Sequence, residues 1–371
     1  MVKPTGRPAR PHFSSGPCAK PPGWSPDKLD TRVLGRSHRS ALGKQRLQYC
    51  IDLMRDNLGL PETHCIGIVP GSDTGAFEMA MWTMLGQRGV TTLAWESFGE
   101  GWVTDAVKQL KLDPIVIRAD YGQLPDLSQV DWSTDVLFTW NGTTSGVRVP
   151  DGEWIATERK GLSFADATSA VFANDIPWDK VDVATFSWQK ALGGEGGHGM
   201  LILGPRAVER LESFTPDRPL PKLFRMTSRG KLNEGIFRGE TINTPSMLAV
   251  EDAIVALEWA KSVGGLTGMI ARTEANAAAL GRIVEERDWL NHLAGNPASR
   301  SKTSVCLTVD GADADFIKRF VKLLESEDVA YDIASYRDAP PGLRIWCGAT
   351  VDTTDIEALG PWLDWAREQC R

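Results

Sequence analysis

The amino-acid sequence predicts an α/β protein, with a large domain built on a mostly parallel, seven-stranded sheet and a smaller α+β domain at the C terminus. Between residues 66 and 203, short apolar runs with strand character alternate with helix-like stretches. That alternation is typical of βα units whose strands lie side by side in parallel. After residue 245 the pattern changes to two long helical stretches, which are followed by a shorter mixed segment.

The individual elements are predicted from the length and apolar pattern of these stretches. The seven strands are expected at residues 66–69, 91–95, 115–117, 136–140, 162–165, 181–186 and 199–203. Helices are expected at residues 76–85, 101–110, 247–261 and 268–287. The C-terminal unit adds strands at residues 304–309 and 343–347 and helices at residues 314–327 and 355–369. In such a sheet, ligands bind at the carboxyl ends of the strands.

The chain divides into three parts. Residues 1–35 are rich in Pro, Gly and Ser and are expected to form an irregular arm that is ordered only by packing on the body of the protein or on a partner subunit. Residues 36–245 carry the alternating strands and helices and are expected to form the large domain. Residues 246–371 are expected to form the small domain.

Composition and charge argue against several classes of function. The 371 residues carry a net charge of -7, whereas a nucleic-acid-binding surface needs a clustered basic excess. No apolar run approaches the ~20 residues of a membrane helix, and the first residues lack a secretory signal, so a cytoplasmic location is expected. The six cysteines have no CxxC spacing and there are only five histidines, so neither a metal site nor a disulfide framework is expected. The expected partner is a small molecule.

One lysine stands between a strand-like run and a glycine-dense turn. Lys190 follows the run at residues 181–186 and precedes four glycines within residues 193–197. A lysine that bonds covalently to pyridoxal phosphate needs such a place, because burial lowers the pKa of its amine toward neutrality and glycines let the backbone approach the cofactor. A lysine beside glycines is more often a solvated loop residue, so this prediction depends on the rest of the chain.

The loop at residues 70–75 is predicted to bind an anion. It leaves one strand and enters the next helix, so its backbone N–H groups and the positive helix end point at the same place. Ser72 and Thr74 add hydroxyl donors, although Ser and Asp before a helix are also common caps. The loop lacks the lysine of a GxxxxGK[ST] motif, which argues against a nucleoside-triphosphate site.

An acid and an aromatic ring are candidates for holding the rest of the cofactor. Asp166 ends an apolar strand 24 positions before Lys190, with one strand between them. A carboxylate there could pair with the protonated pyridine nitrogen and keep the ring an electron sink. Trp102, expected at the start of a helix, could stack on a planar cofactor. The alternatives are a helix-capping Asp and a core Trp, because the chain contains fourteen tryptophans.

Further polar groups suit the cofactor and a substrate with two anionic ends. Thr143, in a turn after the strand at residues 136–140, could donate its hydroxyl to the cofactor. His38-Arg39 near the start and Arg337 with Arg344 near the end supply cations, and guanidinium groups bind carboxylate or phosphate in a two-pronged manner. Taken alone, the segment with Thr143 could be an ordinary turn, and each pair of cations could be solvated surface residues.

Together, and in this order, these segments resemble the phosphoserine aminotransferases, which are fold-type I pyridoxal-phosphate-dependent enzymes of the class V aminotransferase group. The likeness covers nearly the whole chain. The matching residues are Ser15-Gly16-Pro17, His38-Arg39, the loop from Gly71 to Gly75, Trp102, the turn with Asn141, Thr143 and Gly146, Asp166, Gln189-Lys190, Asn243-Thr244-Pro245 and Arg344.

The resemblance implies a homodimer whose active sites lie at the subunit interface. It also implies amino transfer between glutamate and 3-phosphohydroxypyruvate, giving O-phosphoserine and 2-oxoglutarate in serine biosynthesis, with a link to pyridoxine biosynthesis. The implied catalytic residues are Lys190 and Asp166. The implied cofactor-binding residues are Ser72, Asp73, Thr74, Trp102, Thr143, Asp166, Gln189, Lys190, Asn243 and Thr244, the last two reaching the opposite subunit. The implied substrate-binding residues are His38, Arg39, Arg337 and Arg344.

The chain departs from the family pattern at two places. The loop reads Gly-Ser-Asp-Thr-Gly where three glycines are usual, and Tyr336-Arg337 stands where His-Arg is expected. Two alternatives therefore stay open. One is another class V enzyme, such as an alanine or serine:glyoxylate aminotransferase, with a cysteine desulfurase less favoured because Trp102 takes the ring-stacking position. The other is a non-catalytic binding protein with the same fold.

Overall fold

The computed structural model describes residues 2–371. Its strands are β1 (Cys65–Pro70), β2 (Val90–Ala94), β3 (Ile115–Arg118), β4 (Asp135–Thr139), β5 (Asn141–Gly142), β6 (Val147–Arg148), β7 (Ser163–Asp166), β8 (Val183–Ser187), β9 (His198–Leu203), β10 (Thr227–Ser228), β11 (Lys231–Leu232), β12 (Leu290–His292), β13 (Ser304–Val309) and β14 (Leu343–Trp346). Its α-helices are α1 (Ala41–Leu58), α2 (Ser72–Met84), α3 (Ser97–Thr104), α4 (Pro205–Ser213), α5 (Met247–Ser262), α6 (Gly265–Glu285), α7 (Ala314–Ser326) and α8 (Thr353–Cys370).

The central sheet has seven strands in the order β1-β9-β8-β7-β4-β2-β3. The pairs β2–β3, β2–β4, β4–β7 and β7–β8 are parallel, whereas β9 runs antiparallel to both β8 and β1. This architecture confirms the predicted fold class. All seven predicted strands are present, and each lies within two residues of its predicted bounds.

Burial on both faces explains why the strands read as continuous apolar runs. Every residue of β2, β4, β8 and β9 is buried. Side chains that point to one face, such as Ile66 and Ile68 of β1, join a core with α1 and α5. Side chains that point to the other face, such as Val69, join a core with α2. The sheet thus separates two apolar layers, as in other sheets covered by helices.

A second, antiparallel sheet forms near the C terminus. Its strand order is β12-β13-β14, and α8 packs against both α6 and α7. The strand predicted at residues 304–309 is β13, and the remaining predicted elements of this part differ from the structure only at their ends. No helix within residues 2–371 is both long and apolar enough to span a membrane.

The N-terminal arm packs on the body of the same chain. Phe13 is fully buried, and its carbonyl oxygen accepts a hydrogen bond from the Trp346 backbone N–H at 3.0 Å. The Cys18 backbone N–H donates to the Gln189 carbonyl oxygen at 2.8 Å, beside Lys190. The arm therefore runs from the second sheet to the end of β8, and it needs no partner chain to be ordered.

The helices were predicted less accurately than the strands. The helix expected from residue 76 begins at Ser72, and the one expected at residues 101–110 is α3 followed by a single π-helical turn, Asp105–Gln109. Trp102 accordingly lies inside α3 rather than at its start. The prediction also missed α1, although buried side chains at Leu47, Cys50, Ile51, Met54 and Leu58 follow helical spacing.

Candidate active site

A pocket of about 590 Å³ lies at the carboxyl ends of β4, β7 and β8. Segments that are far apart in the sequence line this pocket. They contribute Gly16 and Pro17 of the arm, Ser72 to Thr74, Trp102, Asn141 and Thr143, Asp166 and Thr168, Gln189 and Lys190, and Tyr336 to Asp338. Its position agrees with the rule that ligands bind where the strands of an open α/β sheet end.

Lys190 lies three residues after the end of β8 and is held by the N-terminal arm. Its Nζ donates a hydrogen bond to the Ser15 carbonyl oxygen. A side chain at Gly16 would collide with that amine, so glycine is required where the arm crosses it. Burial lowers the pKa of Lys190, and the nearby Arg344 lowers it further. The amine is therefore more readily neutral than an exposed lysine, as a nucleophile or proton carrier requires.

Asp166, the last residue of β7, is buried and presents its carboxylate to the pocket. The Trp102 Nε1 donates to its Oδ2 at 3.0 Å, and the Thr168 backbone N–H donates to its Oδ1 at 3.2 Å. The strand register sets Thr139 and Thr185 on either side of it. Two donors to the carboxylate favour its charged form, which suits a cationic ring nitrogen.

The loop before α2 brings a helix N terminus to the same pocket. Gly71 and Ser72 adopt positive φ angles of 86° and 54°, and their backbone N–H groups donate to the Gly197 carbonyl oxygen. The first three residues of α2, Ser72 to Thr74, line the pocket, so the helix N terminus lies where it would stabilise a phosphate. Asp73 in the first turn faces Asp166 instead of solvent, and burial followed by that neighbouring charge raises its pKa well above the usual range.

The turn between β5 and β6 contributes hydroxyl groups through a residue that the sequence did not suggest. The Thr143 Oγ1 and the Asn141 Nδ2 each donate to the Ser169 Oγ at 2.8 Å. Ser169 is buried and follows Asp166 by three residues. Only the folded chain reveals that Ser169 orients Thr143.

The lining residues fit pyridoxal phosphate in chemical type. An amine with a lowered pKa, a carboxylate and a helix N terminus converge on the pocket. They suit, in that order, the carbonyl carbon, the ring nitrogen and the phosphate of the cofactor. Several buried oxygens in this pocket have no hydrogen-bond partner among residues 2–371, namely Asp73 Oδ1, Thr139 Oγ1, Asn141 Oδ1, Thr168 Oγ1 and Gln189 Oε1. Buried polar atoms are normally paired, so a polar ligand is expected here.

Comparison with known proteins identifies the family. No protein-family model matches the chain. The phosphoserine aminotransferase of Methanosarcina barkeri (strain Fusaro / DSM 804) is 60% identical over 366 residues, which cover 98% of this chain and 99% of that protein. The chain belongs to the phosphoserine aminotransferase family. Its counterpart in Methanosarcina mazei is 59% identical over 366 residues, with the same shares of both chains covered.

Solved structures of phosphoserine aminotransferases share this fold at much lower sequence identity. The protein from Cytophaga hutchinsonii has a TM-score of 0.85 at 20% identity and covers 96% of this chain and 98% of its own. The protein from Bacillus circulans subsp. alkalophilus has a TM-score of 0.81 at 19% identity and covers 97% and 99%. The fold is thus that of the aminotransferases.

The two late arginines of this family member occupy different positions. The Arg344 guanidinium lies 5.6 Å from the Tyr336 ring, and its Nε is buried without a hydrogen-bond partner among the described residues. Arg337 lines the pocket with a side chain that is 79% exposed, whereas Arg344 is not among the residues that line it. Arg344 is nevertheless near enough to Lys190 to lower the pKa of its amine.

The remaining candidates lie outside the Lys190 pocket of their own chain. His38 and Arg39 line a second pocket of about 840 Å³, which also contains Lys44, Lys222 and Arg225. Asn243, which is half-buried, and Thr244, which is exposed, lie just before α5 and do not line the Lys190 pocket. A single chain therefore does not bring all the predicted site residues together.

Proposed function

We propose that this protein transfers an amino group between glutamate and 3-phosphohydroxypyruvate, giving O-phosphoserine and 2-oxoglutarate in serine biosynthesis. Membership of the phosphoserine aminotransferase family supports this assignment. The observation that carries the chemistry is the convergence of Lys190, Asp166 and the N terminus of α2 on one pocket. A link to pyridoxine biosynthesis and a cytoplasmic location are parts of the same proposal.

The residues of the pocket divide the chemistry among them. When bound, pyridoxal phosphate supplies an electron-withdrawing ring that stabilises negative charge at the substrate Cα. The Lys190 amine, whose pKa is lowered by burial, would act as the base that takes the proton from the substrate Cα and returns it to the carbon on the other side of the amino nitrogen. The Asp166 carboxylate would keep a proton on the pyridine nitrogen, and the N terminus of α2 would hold the phosphate. The arm fixes the position of the Lys190 Nζ through Ser15.

The substrate would be held by cations from two subunits. Arg344 would bind the α-carboxylate, because its buried Nε lacks a partner within the described chain. His38 and Arg39 would bind the phosphate, or the side-chain carboxylate of glutamate. Since these two residues and Asn243-Thr244 lie outside the Lys190 pocket of their own chain, we propose that each chain supplies them to the site of its partner in a homodimer.

The substrate assignment is tested by comparing amino donors. We expect kcat/KM to be much higher with O-phosphoserine than with alanine or serine, because only a doubly anionic substrate uses both Arg344 and Arg39. Arg39→Ala should lower kcat/KM for phosphoserine about a hundredfold through the loss of a charged hydrogen-bonding pair, with little effect on alanine. Equal rates with all three donors would end the phosphoserine assignment and favour a small-substrate aminotransferase.

A further inference from the structure

Two buried carboxyl groups lie side by side in the Lys190 pocket. Asp73 is the second residue of α2 and is 7% exposed, and Asp166 at the end of β7 is 5% exposed. Both line the same pocket, and after burial the charge of Asp166 is the main cause that raises the pKa of Asp73. Two neighbouring buried carboxylates resist being charged together, since each would repel the other and neither could donate. One of the two therefore carries a proton.

The hydrogen-bond partners indicate which acid is protonated. Asp166 receives two donors, the Trp102 Nε1 and the Thr168 backbone N–H, and both stabilise a carboxylate. Asp73 Oδ1 receives no hydrogen bond from any described residue. The Thr185 and Thr168 hydroxyls beside Asp73 lower its pKa, but burial and the charge of Asp166 outweigh them. Asp73 is accordingly the neutral acid and Asp166 the anion.

The other titratable groups around Asp73 do not reverse this assignment. Two cations line the same pocket, Lys190, whose pKa is lowered by burial, and Arg337, whose side chain is 79% exposed. His198 lies at the start of β9, against which α2 packs, and burial lowers the pKa of its ring as well. Its Nε2 accepts a hydrogen bond from the Ser246 backbone N–H at 3.1 Å, so that nitrogen carries no proton. Burial thus opposes a positive charge on both Lys190 and His198, and the pKa of Asp73 stays raised.

We propose that Asp73 is a positioning residue, which donates its proton in a hydrogen bond to Asp166 and thereby holds Asp166 as a single, oriented carboxylate facing the cofactor's pyridine nitrogen. The pair then bears one negative charge, which matches the one positive charge of a protonated pyridine ring. The inference rests on the proposed function for the identity of that ring. It also gives a role to the acid of the Gly-Ser-Asp-Thr-Gly loop, which stands where glycine is usual in the resembled family.

The first test compares binding of pyridoxal phosphate by apoprotein variants, followed by visible absorbance. Asparagine mimics a protonated aspartate because it keeps a donor and cannot be charged, so Asp73→Asn should bind the cofactor within about twofold of wild type. Asp73→Ala should bind about tenfold more weakly, the size expected for one hydrogen bond to a charged group. Asp315→Asn is the matched control, because Asp315 is the exposed second residue of α7, and it should change nothing.

The second test needs no cofactor and follows thermal unfolding of the apoprotein against pH. An acid whose pKa is raised on folding binds more protons in the folded state, so its contribution to stability falls as pH rises from the usual aspartate range toward the raised pKa. Asp73→Asn removes that fall. The unfolding temperature of Asp73→Asn, relative to that of wild type, should therefore increase as pH rises. For Asp315→Asn the difference in unfolding temperature from wild type should stay the same at every pH.

Three results would overturn the proposal. They are equal cofactor binding by all variants, binding by Asp73→Asn as weak as that by Asp73→Ala, or parallel unfolding temperatures of wild type and Asp73→Asn at every pH. Wild-type protein that binds no pyridoxal phosphate would instead refute the proposed function. In that case the unfolding experiment would still decide which acid carries the proton, so the two failures are distinguishable.

Discussion

At the scale of single residues, Lys190 carries the proposed chemistry. Lys190→Ala should lower kcat by at least ~10²–10⁴-fold, the range for loss of a positioned acid–base group. The fold should persist, because the amine contributes one hydrogen bond, to Ser15. Steady-state kinetics and circular dichroism measure the two effects. Lys180→Ala is the control, since Lys180 precedes β8 and pairs with the exposed Glu153 at 3.0 Å, and it should keep full activity.

Full activity in the Lys190→Ala enzyme would contradict the assignment of Lys190. Loss of activity in both lysine variants would point to general disruption around β8 instead. Only loss confined to Lys190 agrees with a chemical role for its amine.

At the scale of elements, the N terminus of α3 contains a buried acid that should make stability depend on pH. Glu96 accepts hydrogen bonds from the Gly99 backbone N–H at 2.8 Å and from the Thr144 Oγ1 at 2.7 Å. Burial nevertheless raises the pKa of Glu96 to about 7, while these hydrogen bonds lower it to a smaller extent. In the unfolded chain the same group titrates with the usual glutamate pKa, near 4.3.

The expected result follows from proton binding. Between the unfolded pKa and about 7, the folded state holds the Glu96 proton and the unfolded state has lost it, so stability falls as pH rises. Glu96→Gln should remove this dependence. Relative to wild type, its free energy of unfolding should rise by up to ~4 kcal/mol from acidic to alkaline pH. Urea unfolding across that range measures it.

Glu100 provides the matched control for this experiment. It lies in the first turn of the same helix, but it is 45% exposed and pairs with Arg118. Glu100→Gln should therefore show a nearly constant difference from wild type above the usual glutamate range. A constant difference for Glu96→Gln as well would show that burial does not shift the Glu96 pKa.

At the scale of the whole molecule, the division of the site between two pockets leads to a complementation experiment. Lys190→Ala inactivates the site of its own chain, whereas Arg39→Ala, on the proposed dimer, inactivates the site of the partner. A mixed dimer then keeps one intact site. Equal mixing should restore about a quarter of the wild-type rate with phosphoserine, because half of the dimers are mixed and each has one of two sites working.

The control mixture joins Lys190→Ala with Asp166→Asn. Both residues serve the pocket of their own chain, so each site of a mixed dimer would be damaged and no activity should return. Recovery in this control, or none in the first mixture once mixed dimers are demonstrated by native mass spectrometry, would contradict shared active sites. The division into residues 1–35, 36–245 and 246–371 likewise stays a prediction, which limited proteolysis would test.

The sequence by itself determined the large sheet and drew attention to Lys190 and Asp166 as the proposed central lysine and acid. Strands buried on both faces must be apolar throughout, so their runs are visible without knowledge of their neighbours. Asp166 stands out because it ends such a run and Lys190 because it closely follows one, since charged residues are rare there and the sheet edge is where ligands bind. The glycines before α2 and after Lys190 likewise predict turns from the local sequence alone.

Only the tertiary structure decided what depends on contacts between distant parts of the chain. It set β9 antiparallel to its neighbours, laid Ser15 and Gly16 against the Lys190 amine, and brought Asp73 to Asp166. The loop containing Asp73 was predicted to cradle an anion, yet nothing in its composition reveals that the carboxyl turns toward another acid. Strand direction, protonation and burial are properties of pairs of residues, and the partner is known only once the chain has folded.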